Sequence, residues 1–245
     1  MRGLLTDAWR TLLPGAEERD GPLPPLLLVL TVVTGLVDAV SYLALGHVFV
    51  ANMTGNVVFL GFALAGADEL SAPASVVALL TFLAGALVGG RLGSRFAGHR
   101  ARLLAAATAL ETLVTAIALI VTAMADGQVT TTVRYTLIVS LGTAMGVQNA
   151  VARRLGVPDL TTTVLTLTLT GLAADTGTAG GPARRPGRRI LSVLAMFLGA
   201  LLGGVLVLGD RLVAVLGLCF VLLAVTSLAI HRHSRTDAPW AHPPH

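Results

Sequence analysis

Asp38 stands inside a long apolar run that begins at Leu26. A carboxylate at the centre of a membrane span costs about 2.5–3.5 kcal/mol on insertion scales, so its presence there calls for a physical reason. Thr31, Thr34, Gly35, Ser41 and Tyr42 recur around it at spacings of three, four and seven, which draws one polar stripe along an apolar helix. Such a stripe faces other helices or water rather than lipid. Two chemistries fit. Asp38 either binds or couples protons to a passing solute, or it is a structural carboxylate held by Thr, Ser, Tyr or Arg partners.

A second group is Asn52-Met53-Thr54-Gly55-Asn56, at the start of a short apolar segment. Asn, Thr and Gly at a helix start are capping chemistry, in which side-chain oxygens accept free backbone N–H groups. A helix beginning within the membrane would aim its positive end at the site, a favourable place for an anion. An ordinary cap at an interfacial loop is the alternative. Gln148 and Asn149 form a third group, able to donate and accept, and so to bind a solute or clamp helices. Thr161, Thr162, Thr163, Thr166, Thr168 and Thr170 supply hydroxyls that satisfy broken-helix backbone or line a polar path. Glu111, with Thr108, Thr112 and Thr115 at helical spacings, is a secondary candidate alongside Ser41 and Tyr42.

The elements that must position these residues are membrane helices. The chain is 54% hydrophobic and 12% charged, against about 25% charged for a soluble domain. Apolar segments lie at 26–46, 49–66, 74–96, 102–125, 134–152, 160–174, 190–209 and 211–230. Most have the length that crosses about 30 Å of hydrocarbon, and inside lipid such runs satisfy their backbone as helices. Aromatic residues make up 4% of the chain, too few for the girdles of an outer-membrane barrel. The expected fold is an all-α, polytopic membrane bundle.

The basic residues are all arginine, and they arbitrate topology. If all eight segments cross, the arginines split almost evenly between the two sides. If 49–66 and 160–174 instead enter and leave on one side, only Arg134 and Arg211 lie outside. That arrangement has six spans, two short re-entrant segments and both termini cytoplasmic. It divides the chain into a cytoplasmic segment 1–24, a first membrane repeat 25–125, an external loop 126–133, a second repeat 134–230 and a cytoplasmic tail 231–245.

The repeats are visible in the residues. Gly35-Leu36-Val37-Asp38 returns 111 positions later as Gly146-Val147-Gln148-Asn149, and the run from Gly85 to Gly90 returns 114 later from Gly199 to Gly204. Three spans and one re-entrant segment per half predict halves inverted relative to each other. Gly85, Gly89, Gly199 and Gly203 have the small-residue spacing of closely packed helices.

The stretches 35–43 (G-L-V-D-A-V-S-Y-L), 48–56 (V-F-V-A-N-M-T-G-N) and 146–154 (G-V-Q-N-A-V-A-R-R), with the Thr-rich run after Leu160, resemble the YoaK family. The resemblance covers about 26–230 and implies a small bacterial integral protein of the inner membrane, with no settled activity. One departure is Leu167 after Thr166, where the family tends to repeat Thr-Gly.

The expected function is passage of a small solute or ion between the repeats. Asp38 would be the ionisable group, with Asn52, Thr54, Gly55, Asn56, Gln148, Asn149 and Thr166 as the polar lining. A non-transporting scaffold or lipid-interacting protein is the alternative. No H-E-x-x-H or G-x-S-x-G motif is present, so an enzyme is not expected. The histidines of the tail lack a ligand framework, and no metal or cofactor is expected. The partners anticipated are the bilayer and the solute, with a homo-oligomer left open. Nucleic acid is not anticipated, because the net charge of +4 sits in short loops.

Overall fold

The computed structural model describes residues 2–15, 18–160, 186–235 and 238–242. Eight α-helices are found among them: α1 Arg2–Leu12, α2 Leu23–Ala44, α3 Met53–Leu64, α4 Ala72–Arg95, α5 Arg100–Met124, α6 Thr131–Leu155, α7 Pro186–Leu208 and α8 Leu212–His233. A 3-10 turn follows at Pro239–Ala241. Helices α2, α4, α5, α7 and α8 are long and apolar enough to cross a membrane. At 25 residues, α6 has the length, about 37 Å at 1.5 Å per residue. Arg134, Gln148, Asn149, Arg153 and Arg154 dilute its apolar character. The short apolar helix α3 is too brief to span by itself.

Burial separates core from periphery. The apolar window of α2 is 72% buried, whereas that of α7 is 22% buried. The outer faces of α4, α7 and α8 expose Leu80, Leu87, Phe197, Leu201, Val221 and Val225. Such a surface suits hydrocarbon rather than water.

Glycine sets the principal helix contacts. Helix α4 packs chiefly on α6, and α2 chiefly on α7. A Cβ added at Gly85 would overlap the Thr143 carbonyl, and one at Gly146 would overlap the Phe82 carbonyl. The same relations recur between α2 and α7, where Gly199 lies against the Val32 carbonyl and Gly35 against the Met196 carbonyl. Gly89 against Val147 and Ala150 is likewise matched by Gly203 against Leu36 and Ala39. Each contact in one pair has its counterpart at the repeat offset in the other. The small-residue spacing read in the sequence therefore packs helices closely, but α4 and α7 each use it on a helix of the other half.

The same contacts give direction. Along α4, from Gly85 through Gly89 to Gly93, the residues met on α6 advance from Thr143 through Val147 to Arg154, so these helices are parallel. Helices α2 and α7 are parallel by the same test. Helix α5 runs against α8, because Arg102 Nε at its start donates to the Ser234 carbonyl at 3.2 Å, and Gly127 beyond its end lies beside Val213. The turns after α4, α5 and α7 are short, so successive helices reverse. It follows that α2 is antiparallel to α4, and that the connection 45–71 containing α3 begins and ends at the same end of the bundle.

The opposite end carries an ion-pair network. Asp20 accepts from Arg100 at 3.1 Å and from Arg188 at 3.2 Å, and all three residues are buried. Arg100 also donates to the carbonyls of Leu155 and Trp240, and Arg188 to that of Pro158. Asp7 on α1 accepts from Gly187 N at 2.8 Å and satisfies a free N–H at the start of α7. Arg134 and Arg211, which start α6 and α8, lie at the far end.

Candidate functional site in the membrane interior

Asp38 lies six residues before the end of α2, roughly 9 Å from it along the axis. It therefore sits past the middle of the helix, on the side of its C-terminal end. Its carboxylate is buried and both oxygens are occupied. Oδ1 accepts from Ala51 N at 3.1 Å, and Oδ2 accepts from Asn52 Nδ2 at 3.1 Å. Among the described residues it has no cationic partner. Asp38 thus holds the chain that leads into α3.

Asn56 completes the same clamp. Its Oδ1 accepts from Phe49 N at 2.8 Å, and its Nδ2 donates to the Phe49 carbonyl. It is the buried residue of α3, whose other residues are half-buried or exposed. The Phe49 ring stacks on Tyr42 and Phe59 with centroids 5.2 Å and 5.7 Å away. Gly55 lets that ring approach, since a Cβ there would meet Phe49 Cδ2. Asn52 occupies the cap position of α3 but makes no side-chain capping bond, because its amide is turned to Asp38. Thr54 is exposed. The capping expected of this motif is replaced by a loop stapled from outside, by Asp38 and Asn56.

Gln148 enters from the second half. Its Nε2 donates to Thr34 Oγ1 at 2.8 Å, and Thr34 passes its own proton to the Leu30 carbonyl at 3.0 Å. Thr34 precedes Asp38 by one helical turn on the same face of α2, so residues from both halves meet on one stripe. Gln148 Oε1 is buried and has no hydrogen-bond partner among the described residues. Asn149 donates to the Met145 carbonyl within its own helix at 2.9 Å. No hydrogen bond between Asp38 and Asn149 is found among the described residues.

The remaining candidates divide. Ser41 is buried and donates to the Asp38 carbonyl at 3.2 Å, while Thr31 donates to the Leu27 carbonyl at 2.9 Å. These hydroxyls serve the helix backbone. Glu111 is buried in α5 with neither carboxylate oxygen hydrogen-bonded. Thr166, the Thr-rich run and most of segment 160–174 lie outside the described residues. Sequence reasoning missed the Asp20–Arg100–Arg188 network. Arg188 reads as an ordinary topogenic residue, and its one legible signal is the exceptional cluster Arg184, Arg185, Arg188 and Arg189.

Comparison with known proteins adds identity without activity. Residues 26–229 match the family described as "Protein of unknown function (DUF1275)". The chain is 34% identical over 151 residues to the UPF0700 transmembrane protein YoaK of Bacillus subtilis (strain 168). That alignment covers 61% of this chain and 65% of the relative, just under two thirds of its length. No solved structure matches.

Proposed function

The chain belongs to the DUF1275 family, an integral membrane protein of YoaK type, and from that premise we propose a permease that passes a small solute or ion across the bacterial inner membrane. The observation that carries the proposal is Asp38, a buried carboxylate in a long apolar helix with no cationic partner among the described residues, bonded to the segment that opens a short apolar helix. Such a group offers a place for a proton or a cation, and its release would free α3.

The arrangement around it supports the same reading. The matched contacts of α2 with α7 and of α4 with α6 fit two repeats of three spans related by a pseudo-two-fold axis in the membrane plane. In this proposal α6 is the sixth span and 45–71 a re-entrant connection. The arginine-rich end, with both termini, faces the cytoplasm. Buried acceptors without donors, Gln148 Oε1 and both oxygens of Glu111, suit a path that receives a donor from a solute or a proton. Asp38 would be the ionisable group, with Asn52, Asn56, Gln148 and Asn149 around it.

The test is reconstitution of the full chain in liposomes and measurement of charge movement on addition of a solute panel. Wild type should give currents with at least one class. Asp38→Asn should insert and purify as a monodisperse species but lose the current. Equal currents in Asp38→Asn and wild type would remove Asp38 from the mechanism. A monodisperse wild type that is silent with ions, amino acids and organic anions in both directions would sink the permease reading.

A second reading has its own observation. Both Asp38 oxygens and both polar atoms of Asn56 are used to hold residues 49–52. In that reading the protein is a scaffold or lipid-interacting component, and Asp38→Asn loosens α3 without any flux to lose. Limited proteolysis of the 45–71 connection, faster in the variant than in wild type, would favour it.

A further inference from the structure

We infer that the cleft between the α4–α5 turn and the end of α6 binds a phosphate-bearing anion at the arginine-rich end of the bundle. The cleft encloses about 340 Å³ and is lined by Phe96, Ala97, Arg100, Leu103, Arg154, Leu155 and Gly156. It does not belong to the Asp38 site, and the inference does not depend on transport.

Charge is the first argument. Arg100 is 5% exposed and Arg188 is 1% exposed, yet Asp20 is the one carboxylate bonded to either among the described residues. A buried group of one acid and two guanidiniums keeps an excess positive charge, which is costly without a further anion. Arg154 adds a third guanidinium, its side chain laid along Gly93 of α4, where a Cβ would fall 3.2 Å from its Cδ. Arg95 lies outside the lining, its guanidinium 6.0 Å from the centroid of the Phe96 ring that forms one wall.

Hydrogen bonding is the second. Arg100 lines the cleft, and while its NH1 and NH2 reach Trp240, Leu155 and Asp20, its buried Nε has no partner. Arg188, which shares Asp20 with Arg100 but does not line the cleft, has Nε and NH2 without partners among the described residues. Buried donors of this kind are rare, because each forfeits a charge-assisted bond. A phosphate oxygen accepts from a guanidinium with matched, frequently bidentate geometry, which a carboxylate-poor cleft of arginines favours.

Shape is the third. Phe96, Leu103 and Leu155 give the cleft apolar walls beside its arginines, and the cleft lies where helices α4 and α6 end. An anionic phospholipid satisfies both kinds of wall. Free phosphate satisfies the arginines alone.

The experiment is thermal unfolding of the purified full chain in a neutral detergent. It is titrated separately with dioctanoyl phosphatidylglycerol, inorganic phosphate and, as control, dioctanoyl phosphatidylcholine. Wild type should show a saturable rise in Tm with the anionic lipid. A rise with that lipid and none with phosphate identifies a headgroup, and an equal rise with phosphate identifies phosphate itself. Arg154 is exposed, so Arg154→Gln should fold as wild type does and bind about tenfold more weakly, the loss of one charge-assisted contact. Arg211→Gln, at the other end of the bundle, should bind as wild type. No saturable rise with either anion would overturn the inference. So would equal binding by Arg154→Gln and wild type, equal weakening by Arg211→Gln, or phosphatidylcholine binding as well as the anionic lipid.

Discussion

The two halves of the chain repeat their contacts but not their chemistry. Gly35 and Gly146 occupy equivalent places, each pressed on a carbonyl of a helix from the other half. Three residues after them stand Asp38, an acid, and Asn149, an amide. Asp38 accepts from Ala51 and Asn52, and the bonds of Asn149 include one to the Met145 carbonyl. One residue earlier the difference is between an apolar and a polar side chain. Val37 is a core apolar residue, while its counterpart Gln148 crosses to Thr34. The difference separates two demands on helix pairs that pack alike. Close backbone approach tolerates only glycine, so both copies must keep it. A polar residue at a helix interface needs only some partner, so each copy can diverge.

The largest effect expected is where both halves are tied together. Asp20→Asn would leave Arg100 and Arg188 buried without a counter-charge, at a cost of about 3–5 kcal/mol. Thermal unfolding in detergent should show it as a large fall in Tm or a loss of monodisperse protein. A stability within error of wild type would mean that the two guanidiniums find another anion, and would favour the phosphate site.

A smaller effect tests the matched contacts directly. Gly35→Ala and Gly146→Ala each place a methyl against a carbonyl and should each cost about 1–3 kcal/mol, as overpacking does. The prediction is equality. If one is tolerated and the other is not, the two helix pairs are not equivalent under load, and the comparison of halves fails at its strongest point.

The smallest effect sharpens the divergence. Gln148→Leu removes a bond to Thr34, worth about 1 kcal/mol, and also removes a buried oxygen that has no partner. The two nearly cancel, so stability should stay within about 1 kcal/mol of wild type. Any loss of solute-dependent current in this variant would then be functional. A strong destabilisation would show that Gln148 is a clamp.

Much of the fold was legible because membrane helices announce themselves. Five spans follow from apolar length alone. Helix α6 is harder to read, since its arginines, Gln148 and Asn149 mask a length sufficient to cross. The short segment 49–66 is legible in existence and in where its helix starts, with Asn52 at the cap position, but not in the bond: Asn52 makes no side-chain cap. Residue type suggests a cap and does not reveal that Asp38 accepts from the Asn52 amide.

The sequence by itself determined the class of protein, the positions of its apolar helices, the repeat and the presence of an acid inside a span. Each of these depends on local pattern: apolar length, glycine at fixed offsets, one carboxylate where lipid disfavours it. Only the tertiary structure decided which helices pair, that α4 and α7 use their glycines on the opposite half, and that Arg100 and Arg188 share Asp20. Helical periodicity specifies a face but not the helix that will cover it, and a face of small residues fits several grooves equally well. The choice among them is made by the whole bundle at once, through the contacts that let every buried donor but a few find its acceptor.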